Sequence, residues 1–538
     1  MAEKHTSFIK QGAILAAAGI LSRVLGFFLR IVLTNVIGDR GNGIYGDGYT
    51  IYNFFFILSS AGLPVALSKI IAGRLAENKR AEAYFIFRVA LKYAAVAGLL
   101  CSFILAFFAR DFARLINNPQ SYYTILALSP TIAVVSVLAV FRGYFQGFEN
   151  TVPTALSQTV EQIGNVIASV ALMFVFMSIP FENGFFSDDK IVMGAAGGQL
   201  GTFFGAIAGL FAIFLLYRKL SPAFLRTFRR VPKQKSGFST TAALKEIMAV
   251  CVPIIAGTAV FSLSNLVDAA MVKWRLAAAG FSVDEAVALY GAYNGKFITL
   301  TTLPLAISAA LATSLIPSVA QSLAKNDHRA VRVKIHAAFR TAILVTTPAA
   351  MGLGVLATPI YRFIFRNAPG GAMMLSIGAV SIIFLTLSQI AAGALQGAGA
   401  LKIPVIAAGA GVLVKIPLNF ILCAVPAINI YGAIISTIAC YVVSSLVNIY
   451  FLKRLFRAKL RIMNILARPL TASAVMGMGA YIVYATTFLL TRVNFLAVIL
   501  AVFSGVVFYC VFMLLLDGFT KGEIENIKNR LKKIKSKL

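Results

Sequence analysis

The chain has 538 residues, of which 59% are hydrophobic and 13% charged, and its mean hydropathy is +0.85. This composition is too apolar for a soluble multidomain protein and predicts an all-α polytopic membrane protein. The formal charge of +30 could favour nucleic acid, but nucleic-acid binders carry their charge on a soluble folded face, and no soluble domain is predicted. Loop charge and membrane topology therefore explain most of the excess, and we expect no nucleic-acid partner.

Apolar runs between charged or Pro- and Gly-rich breaks predict fourteen membrane spans. They cover roughly residues 11–37, 47–72, 85–109, 121–143, 155–180, 191–217, 245–271, 288–319, 335–358, 373–396, 402–424, 431–452, 468–490 and 494–516. A break at Pro64, Pro304 or Pro317 would change this count by one pair.

The first span lies in residues 12–38 and carries two arginines inside its apolar run. Arg23 and Arg30 are seven residues apart, so their side chains share one helix face and lie about 10 Å apart along the axis. A charge at mid-bilayer costs roughly 3 to 17 kcal/mol, so the two arginines indicate a wet cavity or a protein-lined site. The alternative is that one of them, Arg30 more readily than Arg23, extends to the membrane interface.

Basic residues accumulate on alternate connections, which predicts the orientation of the chain. The connection at 218–245 has eight basic residues and the tail from Lys521 onward has seven, whereas the loop at 425–430 has no charge. With fourteen spans the basic connections fall on one side together with both termini. Both termini are therefore predicted to be cytoplasmic.

Three motifs recur along the chain and predict an internal repeat. At offsets of 248 to 252 residues, Ala-x-x-Leu-Ala-x-Asn occurs at 72 and 320, Phe-Arg at 87 and 339, and Gly-x-x-Gln-Gly at 143 and 393. Each copy holds six spans, an even number, so the two copies share one orientation. This arrangement is a parallel repeat about an axis along the membrane normal, with a binding site expected between the lobes.

The repeat predicts five segments. They are an N-terminal six-helix lobe at 1–225, a basic cytoplasmic linker at 226–244, a C-terminal six-helix lobe at 245–455, spans 13 and 14 at 456–518, and a basic amphipathic tail at 519–538. The basic linker and tail are expected to contact the anionic inner leaflet of the bilayer.

Motifs for catalysis or metal binding do not occur in the sequence. There is no P-loop, no Gly-x-Ser-x-Gly and no His-Glu-x-x-His, and the five cysteines fall in apolar segments without metal-ligand spacing. We therefore expect a protein that is not an enzyme and has no catalytic residue, no metal and no cofactor. Its energy would come from a coupling cation (Na⁺ or H⁺), from the membrane potential or from the gradient of the substrate.

Further charges in spans 2, 7 and 8 complete the predicted binding site. If spans 1, 2, 7 and 8 line the cleft between the lobes, it would hold five cations, Arg23, Arg30, Lys69, Lys273 and Lys296. Asp268 and Asn265 in span 7 would lie in the same cleft, where Asp268 is either a structural counter-ion or a ligand of a coupling ion. An interfacial position is the alternative for Lys69, Lys273 and Lys296.

Two charges outside the cleft occupy comparable positions in the two lobes. They are Glu161 in span 5 and Lys415 in span 11. Each either pairs with a neighbour inside its own lobe or takes part in transport.

These features resemble a known family. The two six-helix lobes with an extra pair, the Ser22-Arg23-x-Leu25-Gly26-x-x-x-Arg30 helix and the Gly-x-x-Gln-Gly motifs closing spans 4 and 10 are similar to the multidrug/oligosaccharidyl-lipid/polysaccharide exporter superfamily. Within it, the chain most resembles the polysaccharide biosynthesis branch of the SpoVB and YtgP type and the MurJ-like lipid II flippases.

The resemblance implies an alternating-access transporter whose central cationic cavity accepts a lipid-linked sugar diphosphate. By motif, Arg23 and Arg30 would serve that cavity, and spans 13 and 14 would form a groove for the polyprenyl chain. The implied function is a flippase of the bacterial cell membrane that moves an undecaprenyl-pyrophosphate-linked cell-wall precursor, lipid II above all, from the inner to the outer leaflet.

Three alternatives to a lipid II flippase stay open. The chain could export another polyprenyl-linked polysaccharide unit, act as a cation-coupled multidrug antiporter of the same superfamily, or serve as a scaffold in envelope assembly that transports nothing. We expect a monomer, with cell-wall synthesis or division proteins as candidate partners.

Overall fold

The computed structural model describes residues 2–179, 189–228, 239–456 and 462–518, and these residues form eighteen α-helices and no β-strand. The predicted all-α class is confirmed. The chain divides into two compact units, one made of Met1–Thr299 with Ile416–Ala433 and the other of Leu300–Lys415 with Ile434–Leu538.

The first unit contains nine helices. They are α1 (Ala2–Phe56), α2 (Leu63–Ala76), α3 (Arg80–Phe107), α4 (Ala109–Leu115), α5 (Tyr122–Gly147), α6 (Val152–Ser178), α7 (Lys190–Phe228), α8 (Thr240–Ala278) and α9 (Val283–Ala292). Two π-helical turns, Ile57–Ala61 and Tyr293–Ile298, follow α1 and α9.

The longest helix, α1, is two helices joined at Gly38. Its 55 residues would extend about 80 Å, whereas a bilayer core is about 30 Å thick. Gly38 has φ 66° and breaks the helix, a conformation that a residue with a side chain adopts only under strain. The second part continues through the π-helical turn into α2, whose first turn holds Pro64 where no backbone N–H is needed. Predicted spans 1 and 2 therefore meet at Gly38.

The second unit contains the remaining helices. They are α10 (Thr299–Ala324), α11 (His328–Val355), α12 (Ala357–Ile364), α13 (Ala372–Gly378), α14 (Ser381–Gly397), α15 (Lys402–Leu422), α16 (Tyr431–Phe456), α17 (Ile462–Thr491) and α18 (Asn494–Leu515). The end of α15, from residue 416 onward, belongs to the first unit. Pro304 and Pro317 lie inside α10 without ending it, and predicted span 8 is interrupted instead at the π-helical turn Tyr293–Ile298.

The described residues contain eleven helices that are long and apolar enough to cross a membrane, or twelve if the bent pair α13 and α14 forms one span. One of the eleven, Ala17–Ala76, is 60 residues long and includes the break at Gly38, so it is long enough for two crossings. If Ala17–Ala76 crosses twice and the bent pair crosses once, these helices give thirteen crossings. The fourteenth predicted span corresponds to α8, which is not among them. Many apolar helices are thus confirmed, and the number fourteen stays a prediction.

The repeated motifs have the same structural roles in the two units. Asn78 and Asn326 both end a helix with positive φ, 59° and 54°. Gly147 on α5 packs against Ile71 of α2, and Gly397 on α14 packs against Val319 of α10. Val319 follows Ile71 by 248 residues, within the range of the motif offsets. The repeat found in the sequence therefore corresponds to a repeated packing arrangement.

The predicted segment boundaries stay predictions. Residues 229–238 of the linker and the tail 519–538 lie outside the described residues. Within the first unit, α8 packs through Ala243, Ile247 and Cys251 on the core made by α2, α3 and α5, although the repeat assigns α8 to the second lobe.

The glycine motifs yield a stability prediction. In the variants Gly143→Ala and Gly393→Ala, the new Cβ atoms would lie 2.9 Å from Leu67 Cβ and 2.6 Å from the Ala312 carbonyl oxygen. We expect each variant to lose about 1 to 3 kcal/mol of unfolding free energy, seen as earlier thermal unfolding in detergent. Gly409→Ala is the matched control, because a Cβ there meets nothing within 4 Å. Equal unfolding temperatures for all three variants would argue against the packing role.

Candidate functional site

Arg30 is half-buried among polar groups of its own helix pair. The turn at Gly38 brings the second part of α1 back beside the first, so Arg30 Nη1 donates to Asn42 Oδ1 at 3.3 Å. The Arg30 guanidinium also lies 4.8 Å from the centre of the Tyr45 ring, a cation–π contact. Asn42 is fully buried and donates to Thr34 Oγ1 at 2.7 Å. Arg30 therefore has protein partners in the middle of an apolar helix.

Arg23 and Lys69, the other predicted cations of spans 1 and 2, are exposed. Neither has a carboxylate partner among the residues that the structure describes. Both side chains therefore keep their hydrogen-bond donors accessible.

The two predicted lysines of spans 7 and 8 are fully buried and paired with carboxylates. Lys296 Nζ lies 2.7 Å from Asp39 Oδ1 and 2.8 Å from Asp39 Oδ2. Lys273 Nζ pairs with Asp47 Oδ2, which also accepts from Asn118 Nδ2 at 2.7 Å. Pairing is what makes such burial tolerable, because an isolated ion inside a protein is strongly destabilising. The charge of both lysines is therefore neutralised in this state.

Arg40, next to Asp39, joins two further carboxylates. Its Nη1 lies 2.6 Å from Asp189 Oδ2, just before α7, and its Nε lies 3.1 Å from Asp284 Oδ1 at the start of α9. Burial by itself would raise the pKa of Asp189, but hydrogen bonds from Arg40 and from the backbone N–H of Ile191 hold that pKa below its usual value. Asp189 is thus a stable negative partner for Arg40.

The predicted polar pair of span 7 is not brought together. Asp268 is buried and accepts from Asn419 Nδ2 at 2.7 Å, whereas Asn265 is exposed. Near the end of the same helix, Arg275 Nε donates to the Phe420 carbonyl at 2.8 Å. Whether Asp268 is a counter-ion or a coupling-ion ligand stays open.

The charges predicted outside the cleft lie inside the helical bundle. Glu161 Oε2 accepts from Arg142 Nη2 at 2.5 Å, and Arg142 Nε donates to Ser157 at 3.0 Å, so this pair is local to α5 and α6. Lys415 is buried. Among the described residues, no group of three or more His, Cys, Asp or Glu side chains is placed to hold a metal ion.

The sequence interpretation missed Asp39, Asn42 and Tyr45, because residues 38–46 were assigned to the gap between spans 1 and 2. It also missed Asp47, the first residue of predicted span 2. One signal could have identified them. The two carboxylates, eight residues apart, flank Asn42 and Tyr45 in a segment with the sequence DRGNGIYGD. Eight residues correspond to slightly more than two turns of helix, so the two acids would lie about 80° apart, on adjoining faces that neighbouring helices with matching cations could contact.

The buried pair of Asp47 and Lys273 yields a second prediction. In Lys273→Met, Asp47 loses its cation and is left as an uncompensated buried charge, so we expect a loss of about 3 to 5 kcal/mol in unfolding free energy. The double variant Asp47→Asn with Lys273→Met should recover most of that loss. Thermal unfolding in detergent measures both. Independent, additive losses in the double variant would show that the two groups do not depend on each other.

The fold and the charged groups inside apolar helices define a class: a polytopic helical membrane protein with a transporter fold. A solved structure of the lipid II flippase MurJ, in an inward closed conformation, matches with a TM-score of 0.66 at 17% identity and covers 94% of this chain and 98% of that chain. At this identity the likeness shows the fold.

The chain belongs to the polysaccharide biosynthesis protein family, whose model matches residues 8–323. The MatE family model also matches, at residues 253–421. The resemblance to the multidrug/oligosaccharidyl-lipid/polysaccharide exporter superfamily is thereby confirmed.

Two curated relatives come from Bacillus subtilis (strain 168). Stage V sporulation protein B is 27% identical over 448 residues, which is 82% of this chain and 83% of the relative. Lipid II flippase MurJ is 25% identical over 490 residues, which is 87% of each chain.

Proposed function

We propose that the protein is a flippase that moves an undecaprenyl-diphosphate-linked cell-wall precursor, lipid II, from the inner to the outer leaflet of the bacterial cell membrane by alternating access. The observation that carries this proposal is the environment of Arg30. Its described partners are a neutral amide, Asn42, and an aromatic ring, Tyr45. A guanidinium has five N–H donors, so most of them stay available to an anion.

The two arginines of α1 are proposed to bind the diphosphate of the precursor. Arg23 and Arg30 lie on one helix face, and guanidiniums bind phosphate oxygens in a bidentate manner with charge-assisted hydrogen bonds. Lys69 is a third exposed cation that would add charge without that geometry. Lys273 and Lys296 are paired with carboxylates in this state, so their part in binding requires another state.

The polyprenyl chain is proposed to lie along α17 and α18. These two helices pack on each other through small side chains, including Ala480, Ala497 and Ala501. Their outer faces present exposed apolar side chains, among them Leu490, Phe503 and Leu515. An isoprenoid chain can remain against such a surface in lipid while the sugar passes through a polar route. A lipid-linked sugar requires both an apolar surface for its lipid chain and a polar route for its sugar.

The proposed role is transport, with no chemical step on the substrate. A multidrug antiporter for cationic drugs would need a cavity with excess acid, whereas two of the cations predicted for the cavity, Arg23 and Lys69, have no carboxylate partner among the described residues. One relative of this chain is named as a lipid II flippase, and this name supports a lipid-linked substrate. A non-transporting scaffold is the outcome to be excluded by experiment.

Reconstitution in unilamellar vesicles tests the proposal directly. Lipid II labelled on its sugar is placed in both leaflets together with the purified protein. We expect all of the label to become accessible to a membrane-impermeant quencher, whereas protein-free vesicles should protect the inner-leaflet label. Continued protection of that label by vesicles that contain folded protein would contradict the proposal.

A further inference from the structure

A row of three ion-pair contacts joins the second part of α1 to the segment that runs from α8 to the π-helical turn after α9. The contacts are Asp39 with Lys296, Arg40 with Asp284, and Asp47 with Lys273. We call these three contacts the latch. Asp39 and Asp47 are eight residues apart, so the latch extends for about 12 Å along α1. The latch lies at one end of the first span, and the predicted topology places this end on the outer side of the membrane.

The two segments of the latch touch at their backbones. A Cβ atom on Gly43 would lie 2.2 Å from the Val287 carbonyl oxygen, and one on Gly291 would lie 1.9 Å from the Asp39 carbonyl oxygen. Only glycine permits this approach. A contact packed so closely leaves no room for water or for gradual sliding, so it is either closed or open. In this structure it is closed.

Asn42 lies between Arg30 and the latch. On one side its Oδ1 accepts from Arg30 Nη1 at 3.3 Å. On the other side it packs on the π-helical turn, because a Cβ atom on Gly295 would be 2.8 Å from Asn42 Cγ. Lys296, the residue after Gly295, forms the first ion pair of the latch. One fully buried side chain therefore contacts both the proposed anion site and the latch.

We propose that Asn42 is a positioning residue that couples an anion at Arg30 to the opening of the latch. The inference rests on the proposed function, since the anion is the diphosphate of the precursor. In the hydrogen bonds between Arg30 and a diphosphate both partners are charged, so these bonds are stronger than the one from Arg30 to the neutral amide of Asn42. In our proposal the bound diphosphate also draws Arg30 Nη1 away from Asn42. The Asn42 Oδ1 acceptor then loses its donor and is disfavoured in its buried position.

Movement of Asn42 displaces the π-helical turn that carries Lys296. A π-helical turn interrupts the regular hydrogen-bond pattern of a helix and often lies at a functional site, so we assign the rearrangement to this turn. Arg30 binds the diphosphate better once Asn42 has moved, so the diphosphate has a higher affinity for the open state than for the closed state. A ligand shifts a conformational equilibrium only through such a difference in affinity. When the latch opens, Lys273 and Lys296 lose their carboxylates and add cations to the path of the precursor.

Cross-linking across the latch measures whether it is closed. In Gly46→Cys with Asn294→Cys, the new Cβ of residue 46 would lie 3.6 Å from the present Asn294 Cγ, the position that the cysteine sulfur would take. The five native cysteines are first replaced by serine. Oxidative cross-linking is followed in proteoliposomes with and without undecaprenyl diphosphate. Undecaprenyl diphosphate is the probe. Loss of roughly one hydrogen bond changes the ratio of closed to open latch about fivefold, so we expect the probe to slow cross-linking by up to that factor.

The matched control is Gly354→Cys with Ala379→Cys, which joins α11 to the residue after α13 in the second unit. There the new Cβ would lie 3.5 Å from Ala379 Cβ, a separation that a disulfide accepts, and we expect the probe to leave the rate unchanged. In Asn42→Ala, the probe should still bind, within about threefold of the parent affinity, but should change latch cross-linking less than about twofold. Asn42→Ser gives the same test if the alanine variant does not fold.

Three outcomes decide between the proposals. If the probe binds the parent and leaves latch cross-linking unchanged, the coupling is wrong while the proposed function stands. If the probe slows cross-linking equally in the parent and in the Asn42 variants, the role of Asn42 is wrong. If the probe does not bind the parent protein at all, the proposed function itself fails.

Discussion

Replacing Arg30 by alanine is expected to reduce lipid II translocation at least about 100-fold in reconstituted vesicles. Each hydrogen bond to a charged group contributes roughly 1.5 to 3 kcal/mol, so losing two of them from a bidentate contact costs about 3 to 6 kcal/mol. Arg30→Lys keeps the charge but loses the bidentate geometry, and it should retain an intermediate rate. The rate of quencher access to labelled lipid II measures the effect.

Two controls separate this effect from misfolding and from surface charge. Arg88→Ala removes an exposed arginine of α3 and should flip lipid II at the parental rate. Thermal unfolding in detergent should be similar for Arg30→Ala and the parent protein. Arg23→Ala should lower translocation in the same direction as Arg30→Ala. If Arg30→Ala folds and flips at the parental rate, the arginine stripe does not bind the diphosphate.

The membrane potential is expected to drive the precursor outward. Two negative charges that leave a negative interior gain about 4 to 5 kcal/mol at 100 mV, which corresponds to roughly a thousandfold shift in the distribution between leaflets. A potassium gradient with valinomycin imposes the potential, and its collapse should abolish net export. Inverting the potential should invert the direction.

The same vesicles distinguish a coupling cation from the potential. Unchanged export after collapse of the potential, together with a response to a Na⁺ or H⁺ gradient, would contradict the electrical mechanism. Asp268 is the carboxylate proposed for that alternative, since it is buried and accepts from Asn419 at 2.7 Å. Asp268→Asn should then lose the cation dependence, whereas under the electrical mechanism it should keep its response to potential.

Many of the apolar helices were predictable because hydropathy alone marks them. The run before Gly38 ends where the helix breaks, and the end of α15 at Leu422 agrees with the predicted end of its span within two residues. The repeat was predictable because its motifs have local structural roles. Asn78 and Asn326 end helices with positive φ, a conformation that asparagine tolerates better than most residues.

The pairing of charges was not predictable from hydropathy. Asp39 and Asp47 lie in a segment rich in glycine and charge, which resembles a loop, yet their helix is stabilised by Lys296 and Lys273 from distant parts of the chain. Only the fold brings these partners together. The partners of Arg30 depend likewise on the turn at Gly38, which returns Asn42 and Tyr45 to its side. The pairing of Glu161 with Arg142, in contrast, agrees with the local alternative that its position in the lobe allowed.

Competition between possible substrates tests the central claim most directly. Reconstituted protein is given labelled lipid II together with an excess of unlabelled lipid II, another undecaprenyl-diphosphate-linked sugar, undecaprenyl diphosphate or a cationic drug. We predict that the diphosphate lipids compete, that lipid II competes best, and that the drug does not. Transport of the drug with no flipping of any diphosphate lipid would contradict the proposed function.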